Sequence, residues 1–296
     1  MIISQLNSGL GNQMFQYAAA KSLSTIKKTS LCLDISWYMS KESMQTIRNF
    51  ELSVFNLKEN LVYHNTAHAF YNEGNSFFNK IINKIERNIP YYKKKQFEEQ
   101  MFEFDPNFFK ARKDAIISGY WQSEKYFDNI SEIIRNTFTC LDNDWGKEDR
   151  EILNTINASQ TVSVHVRRGD MVNNSEVAKV HGACDLEYYN KSIEYLNNKI
   201  DSLVFIIFSD DTKWAKENIK ISNKTIFVDH NKDEKAWLDM QLMSKCNHNI
   251  IANSSFSWWG AWLNRNENKI VISPKRWFNS SNNNTKDLLP NSWIKL

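Results

Sequence analysis

Between residues 161 and 272 the apolar positions alternate between two periods. Thr161–Val166 reads as a strand, whereas Leu186, Tyr189, Ile193, Leu196 and Ile200 recur at spacings of 3, 4, 3 and 4, one face of a helix. Leu203–Phe208 is apolar without a break, as in a strand covered on both faces. Trp214–Ile219 then gives a short helix, Thr225–Val228 a strand, and Asp233–Lys245 a helix with Ala236, Met240 and Met243 on one stripe. His248–Ala252 is a strand, Phe256–Leu263 a helix and Ile270–Ile272 a closing strand. Strands alternating with helices at this spacing predict a doubly wound α/β layer with a parallel sheet.

The first half has a weaker rhythm. Ile2–Leu6 is a strand, Ser8–Gln13 a glycine turn, and Phe15, Ala19, Ser22 and Ile26 one face of a helix. Leu31–Leu33 and Ala115–Ile117 are strands, but residues 50–109 are aromatic without a period and yield no fold. The expected organisation is therefore two domains, 1–150 and 151–296, joined near Leu141–Glu148. The tail after about residue 274 is a candidate to pack back on the first domain.

Composition narrows the function classes. Apolar residues are 42% and charged residues 24%, which suits a globular protein. A net charge of +3, spread along the chain, does not suggest a nucleic-acid partner. The four cysteines form no CxxC pair, against a disulfide framework or a zinc site. The longest apolar run, Leu203–Phe208, is far short of the ~18 residues of a membrane span. With nothing like a signal peptide at the start, the expected location is cytoplasmic. Peripheral association with the inner membrane face stays open: Tyr91–Lys95 is basic and aromatic, although a solvated face is the simpler reading.

Candidate chemistry lies just past the strands of the second half. Arg167, Arg168 and Asp170 follow one, Ser209, Asp210 and Asp211 another, and Asn253, Ser254 and Ser255 a third. In open α/β sheets, ligands bind beyond the carboxyl ends of the strands. Two arginines there need an anion, either an internal carboxylate or an external phosphate that guanidinium matches with paired hydrogen bonds. Asn253–Ser255 reads as a helix cap, a phosphate-binding helix start, or both. Gly9-Leu10-Gly11-Asn12-Gln13 lacks the spacing of a dinucleotide or P-loop motif; it is a turn needing positive φ or a place of close ligand approach. Asp210 and Asp211 invite a metal reading, but adjacent carboxylates on an extended segment diverge, which favours structural or hydroxyl-binding roles. His165 alternates with core positions of its strand, and His181 lies in a polar loop. Arg168-Gly169-Asp170 also spells a cell-adhesion tripeptide, which would need an extracellular loop.

Together SGLGNQMFQYA (Ser8–Ala18), HVRRGD (His165–Asp170), IFSDD (Ile207–Asp211) and DMQLMSKCNHNIIANSSFSWWGAWL (Asp239–Leu263) resemble glycosyltransferase family 11, the α-1,2-fucosyltransferases, especially bacterial ones. Ser8 stands where that family commonly has glycine, with no consequence expected. The resemblance implies a GT-B fold, two Rossmann-like domains facing across a cleft, and an inverting, metal-independent transfer of fucose from GDP-fucose. The expected acceptor is a galactose-terminated glycan or lipid-linked oligosaccharide of a surface polysaccharide. The donor would meet His165, Arg167, Arg168, Asp210, Asn253, Ser254 and Ser255, with Gly11, Asn12 and Gln13 from the first domain. Arg167 would hold the pyrophosphate, Arg168 would set the geometry or charge of its loop, and no cofactor or metal would be needed. Asp170 and His181 lead the candidates for general base, ahead of Glu176 and Asp185. The alternatives are a transferase using another nucleotide sugar and a non-catalytic nucleotide- or glycan-binding protein on the same fold.

Overall fold

Short apolar strands pair in parallel in both halves of the chain. The computed structural model describes residues 1–39, 48–63, 89–279 and 284–296, without the side chains of Asp170, Glu176 and Val177. Two compact units emerge: Met1–Thr137 with Asn284–Leu288, and Phe138–Asn283 with Leu289–Leu296.

In the first unit, β1 (Ile2–Gln5) leads into α1 (Leu10–Lys27) and β2 (Leu31–Asp34), followed by β3 (Asn60–Val62), β4 (Gln96–Glu98) and β5 (Ile116–Ser118). Among the described residues these strands form one parallel sheet in the order β3-β2-β1-β5-β4. Helix α1 buries Met14, Phe15, Ala18, Ala19 and Leu23. Glu51 reaches back from the following segment, and its carboxylate accepts the Leu10 N–H at 2.8 Å, so an internal anion covers the start of α1. Part of the aperiodic stretch becomes a ring cluster in which Phe97, Phe108, Trp121 and Tyr126 pack at centroid distances of 4.7–6.0 Å. Such packing is built from 3-10 turns and three-residue strands, which leave no period in the sequence. Helix α2 (Ser131–Thr137) closes the unit.

The second unit holds α3 (Lys147–Ala158), β6 (Thr161–Val166), α4 (Gly169–Asn173), α5 (Ser175–Val180), α6 (Leu186–Asn197), β7 (Val204–Ser209), α7 (Thr212–Asn218), β8 (Thr225–Val228), α8 (Trp237–Lys245), β9 (His248–Ile250), α9 (Ser255–Leu263), β10 (Val271–Ser273) and β11 (Ile294–Lys295). Its sheet, again parallel, runs β11-β10-β9-β6-β7-β8. Alternation along β7 explains the unbroken apolar run: Phe205 and Ile207 join a core with Leu196 of α6, while Ile206 and Phe208 join Leu238 and Leu242 of α8 and Ile156 of α3. Each such side chain contributes roughly 1.5–3 kcal/mol by leaving water. Helix α9 is apolar all round and buried, with Trp258, Trp259 and Trp262 packed on one another.

A buried polar network fixes how β6 meets β9. The Asn249 amide, fully buried, donates to Ser163 Oγ (2.7 Å) and Met243 O (2.9 Å), and its carbonyl accepts from Asn264 Nδ2 (2.8 Å). Ser163 and Asn249 are register partners, so a shift of one residue would break these bonds and turn every side chain to the other face.

Several expectations change. The segment after β6 is helical rather than a loop, Asp233–Lys235 is a 3-10 turn ahead of α8, and α3 starts at Lys147 inside the expected joining segment. The glycine turn also differs: Gly9 has φ −85°, Gly11 lies within α1, and the positive φ, 65°, falls on Ser8. Ser8 therefore has a consequence after all. A left-handed serine costs about 1–2 kcal/mol, against about 0.4–1 kcal/mol of extra chain entropy for glycine when unfolded. Ser8→Gly should stabilise the protein by about 0.5–1 kcal/mol in urea unfolding; an unchanged or lower midpoint would show that the turn carries no such strain.

Candidate functional site

The second sheet reverses direction between β6 and β9: the chain runs outward through β7 and β8, then returns to build β9 and β10 on the other side. Ligand crevices open beyond the carboxyl ends of strands at such a point. Arg167 and Arg168 leave β6 there, and Asn253, Ser254 and Ser255 leave β9.

The arginine loop is braced by carboxylates rather than left open. Val166 pairs with Ser209, whose hydroxyl donates to Val166 O at 2.8 Å, so β6 and β7 end side by side. Asp210 then accepts Arg167 Nη1 on Oδ2 (2.8 Å) and the Arg168 backbone N–H on Oδ1 (2.8 Å). The glycine of the motif makes room: a Cβ on Gly169 would stand 2.5 Å from Asp210 Oδ2. Asp211 caps α7 by accepting the Trp214 N–H (3.1 Å), and its other oxygen lies 3.6 Å from Arg168 Nε. The Arg168 guanidinium stacks 3.8 Å above the Trp214 ring. The two aspartates expected to diverge both serve the arginine loop. Asp210, expected at the ligand, is the brace, and the Arg167 guanidinium it orients is 25% exposed.

Against this loop stands the start of α9. Ser254 is its N-cap residue but supplies no side-chain cap, while Ser254 and Ser255 are half-buried. Asp185 and Asp211 do cap α6 and α7 with their carboxylates. A helix start without a capping side chain presents N–H groups and a positive dipole end to an anion. His165, the last residue but one of β6, has its ring 5.7 Å from Phe256 of α9. It is 6% exposed, and among the described residues neither its Nδ1 nor the buried Nε of Arg168 has a hydrogen-bond partner. An unsatisfied buried polar atom costs about 1–3 kcal/mol; Arg168 Nε still has the Asp211 carboxylate near it, whereas His165 Nδ1 has nothing comparable and would welcome a ligand. Burial, assisted by the Arg167 charge, pushes the His165 pKa down to about 3 and keeps the ring neutral.

Other expected contacts turn inward. The buried Asn253 amide donates to the carbonyls of Gly182 (2.9 Å), Trp277 (3.0 Å) and His181 (3.2 Å), and its oxygen accepts Cys184 Sγ at 3.4 Å. It pins the 181–184 segment at the ends of β9 and β10, with the His181 ring 5.3 Å from Phe278. Asp185, a base candidate, is committed to its helix cap (2.8 Å to the Tyr188 N–H). The side chains of Asp170 and Glu176 lie outside the described residues. In the first unit Gln13 is fully buried, binding Ser8 O, Asn49 O and the Glu51 N–H at 2.9 Å each, so it organises the turn. Asn12 Oδ1 accepts Gln122 Nε2 at 2.6 Å, and Gly11 is a buried helical position. The pattern of polar residues does not single out Trp214, Gly169 or Phe256. The signal for Trp214 was topological, since it opens the helix after a strand ending at the same edge.

Among the described residues, no group of three or more His, Cys, Asp or Glu is placed to hold a metal ion. Nor is any helix there long and apolar enough to cross a membrane.

Known proteins with these features are close at hand. The model of Glycosyl transferase family 11 matches residues 1–296. An alpha-1,2-colitosyltransferase of Escherichia coli is 35% identical, over 100% of this chain and 99% of that protein. The O-antigen biosynthesis glycosyltransferase WbnK of Escherichia coli is 36% identical, over 99% of each. Among solved structures, a mutant of Arabidopsis thaliana FUT1 in complex with GDP aligns with 91% of this chain and 69% of that one, at 13% identity and a TM-score of 0.50. The shared architecture is GT-B, with Rossmann-like domains.

The neutral His165 generates a pH dependence. Above pH 6.5 the ring is neutral folded or unfolded; below it, the unfolded chain takes up a proton that the native site refuses until about pH 3. Stability is thus lost as pH falls, by at most about 1.4 kcal/mol per unit from this group. The stability difference between the parent and His165→Gln should shift against the parent from pH 7 to pH 5 in urea unfolding. Parallel profiles would mean that the ring titrates normally in the fold.

Proposed function

The chain belongs to glycosyl transferase family 11, and from that premise we propose that it is an inverting α-1,2-fucosyltransferase. It moves fucose from GDP-β-L-fucose to the 2-hydroxyl of a terminal galactose. The observation that carries the proposal is the braced Arg167 beside the open start of α9 at the β6–β9 reversal. In this reading the diphosphate lies between them, His165 Nδ1 faces the nucleotide side, and Asp210 holds Arg167 in place.

The chemistry asks for such an arrangement. As the bond from the sugar to the diphosphate breaks, the sugar takes on oxocarbenium character and the leaving group gains negative charge. Donors already aimed at that group stabilise the transition state more than the ground state. Guanidinium and a helix start can supply this charge without a divalent ion, and we take the transfer to need none. The acceptor hydroxyl attacks from the face opposite the diphosphate and inverts β to α. For the general base, which would contribute about 10²–10⁴-fold, we retain Asp170 and His181. The acceptor is read as a galactose-ended, lipid-linked repeat unit of a surface polysaccharide, which suits a relative named for O-antigen biosynthesis.

A second donor has its own support, because one relative is named a colitosyltransferase. Colitose is L-fucose without its 3-hydroxyl. A site built to hydrogen-bond that hydroxyl would reject the deoxy sugar by up to about 10⁴–10⁵ in kcat/KM.

Two measurements test the assignment. GDP-fucose and GDP-colitose, each offered with a panel of β-galactosides, should release GDP only with acceptor, with faster turnover of the fucosyl donor and an α-1,2 linkage in the product by NMR. Acceptor-independent binding without release would favour a non-catalytic protein, and preference for the deoxy sugar would favour the second donor. Arg167→Ala should lose about 10²–10³ in turnover while remaining folded. Parental turnover in that variant, or loss of activity in EDTA restored by manganese, would overturn the arginine clamp.

A further inference from the structure

We propose that the amino edge of the first sheet is a docking face for a bilayer with acidic headgroups. Because β1 to β5 are all parallel, their five starting ends lie along one edge, in the order β3-β2-β1-β5-β4. The sequence puts cations at the approach to these ends. Exposed Lys58 precedes β3. Exposed Lys28 ends α1 just ahead of β2, with Ile26 beside it 45% exposed. The Met1 N donates to Lys113 O at 2.9 Å, so Lys113, also exposed, stands over the starts of both β1 and β5. Lys93, Lys94 and Lys95 lead into β4 behind Tyr91 and Tyr92, and Lys110 Nζ lies 5.7 Å over the Tyr92 ring.

With strands about 4.8 Å apart, this is a row of cations about 20 Å wide. Two carboxylates of this edge are already matched, Glu59 by Lys21 (2.6 Å) and Asp114 by Arg112 (2.9 Å). Lys28, Lys58, Lys93, Lys94, Lys95, Lys110 and Lys113 thus approach one sheet edge, although the whole chain carries a formal charge of only +3. Between the end of α1 and the start of β3 lies a recess of about 560 Å³, lined by Lys28, Lys58, Ser30 and Asn60 together with the paired Lys21 and Glu59; its two further lysines suit a headgroup phosphate. A cationic row with tyrosines and an exposed isoleucine at its margin matches an anionic membrane interface, where each lysine adds to binding and aromatic rings settle at headgroup level. Asn12 and Gln122 occupy the opposite, carboxyl edge of the same sheet, so a docked bilayer leaves that edge uncovered.

This inference stands apart from the donor and acceptor assignments, and its test involves no turnover. The full chain is sedimented with phosphatidylcholine vesicles, with and without phosphatidylglycerol, at low and high salt. Binding is expected only with the acidic lipid and should weaken with salt. The triple variant Lys28→Gln/Lys58→Gln/Lys113→Gln should bind about 100-fold more weakly, at about five-fold per lysine, with an unchanged thermal unfolding midpoint. Equal binding to neutral vesicles, parental binding by the variant, or equally tight binding to inorganic phosphate or single-stranded DNA at the same salt would overturn it.

Discussion

Asp210 constrains the whole working edge of the second unit. One carboxylate fixes a guanidinium and a backbone N–H of successive arginines, and it does so only because residue 169 lacks a side chain. Asp211 lies near Arg168 while capping α7, so the two arginines are balanced by two aspartates. An anion bound at this edge would meet directed hydrogen bonds and a helix dipole more than surplus positive charge. Recognition of that kind would be geometric and would tolerate little movement of the loop.

The position of that loop opposite α9 is set deeper in the protein. Asn249, Asn264 and Ser163 hold β9 in one register against β6, and the register decides which residues of the two strands face each other at their ends. The two helix starts that carry the sequence motifs then part ways. At α1 the anion is internal, supplied by Glu51, and Gln13 ties down the same turn. At α9 the N-cap Ser254 makes no side-chain cap, and His165 brings nearby a neutral nitrogen that has no partner among the described residues. Two motifs of similar composition thus do different things: one builds the fold and the other suits a ligand.

Much of this was legible before any coordinates. The unbroken run in β7 and the spacing in α6 announced a parallel sheet, and the edge bearing Arg167, Asp210 and Ser254 followed from strand ends alone. What could not be read was direction. Asp210, Asn253 and Gln13 look alike in a sequence whether their polar atoms turn outward to a ligand or inward to the chain, and here all three turn inward. Some short elements were missed for a related reason. Strands β3 and β4 have three residues each and, unlike the equally short β5, lie inside the aperiodic aromatic stretch, and α4 and α5 have five and six, too few for a helical period to declare itself.

The division of the chain also bears on its synthesis. Residues 284–288 group with the first unit, where Asp287 accepts the Phe104 N–H at 3.2 Å, while residues 289–296 return to the second. A ribosome making roughly 5–20 residues per second must therefore work for about 8–30 s after Thr137 before the first unit can be completed. Until then the newly made N-terminal half waits without its last segment, so nascent-chain folding of the two units is interleaved rather than sequential.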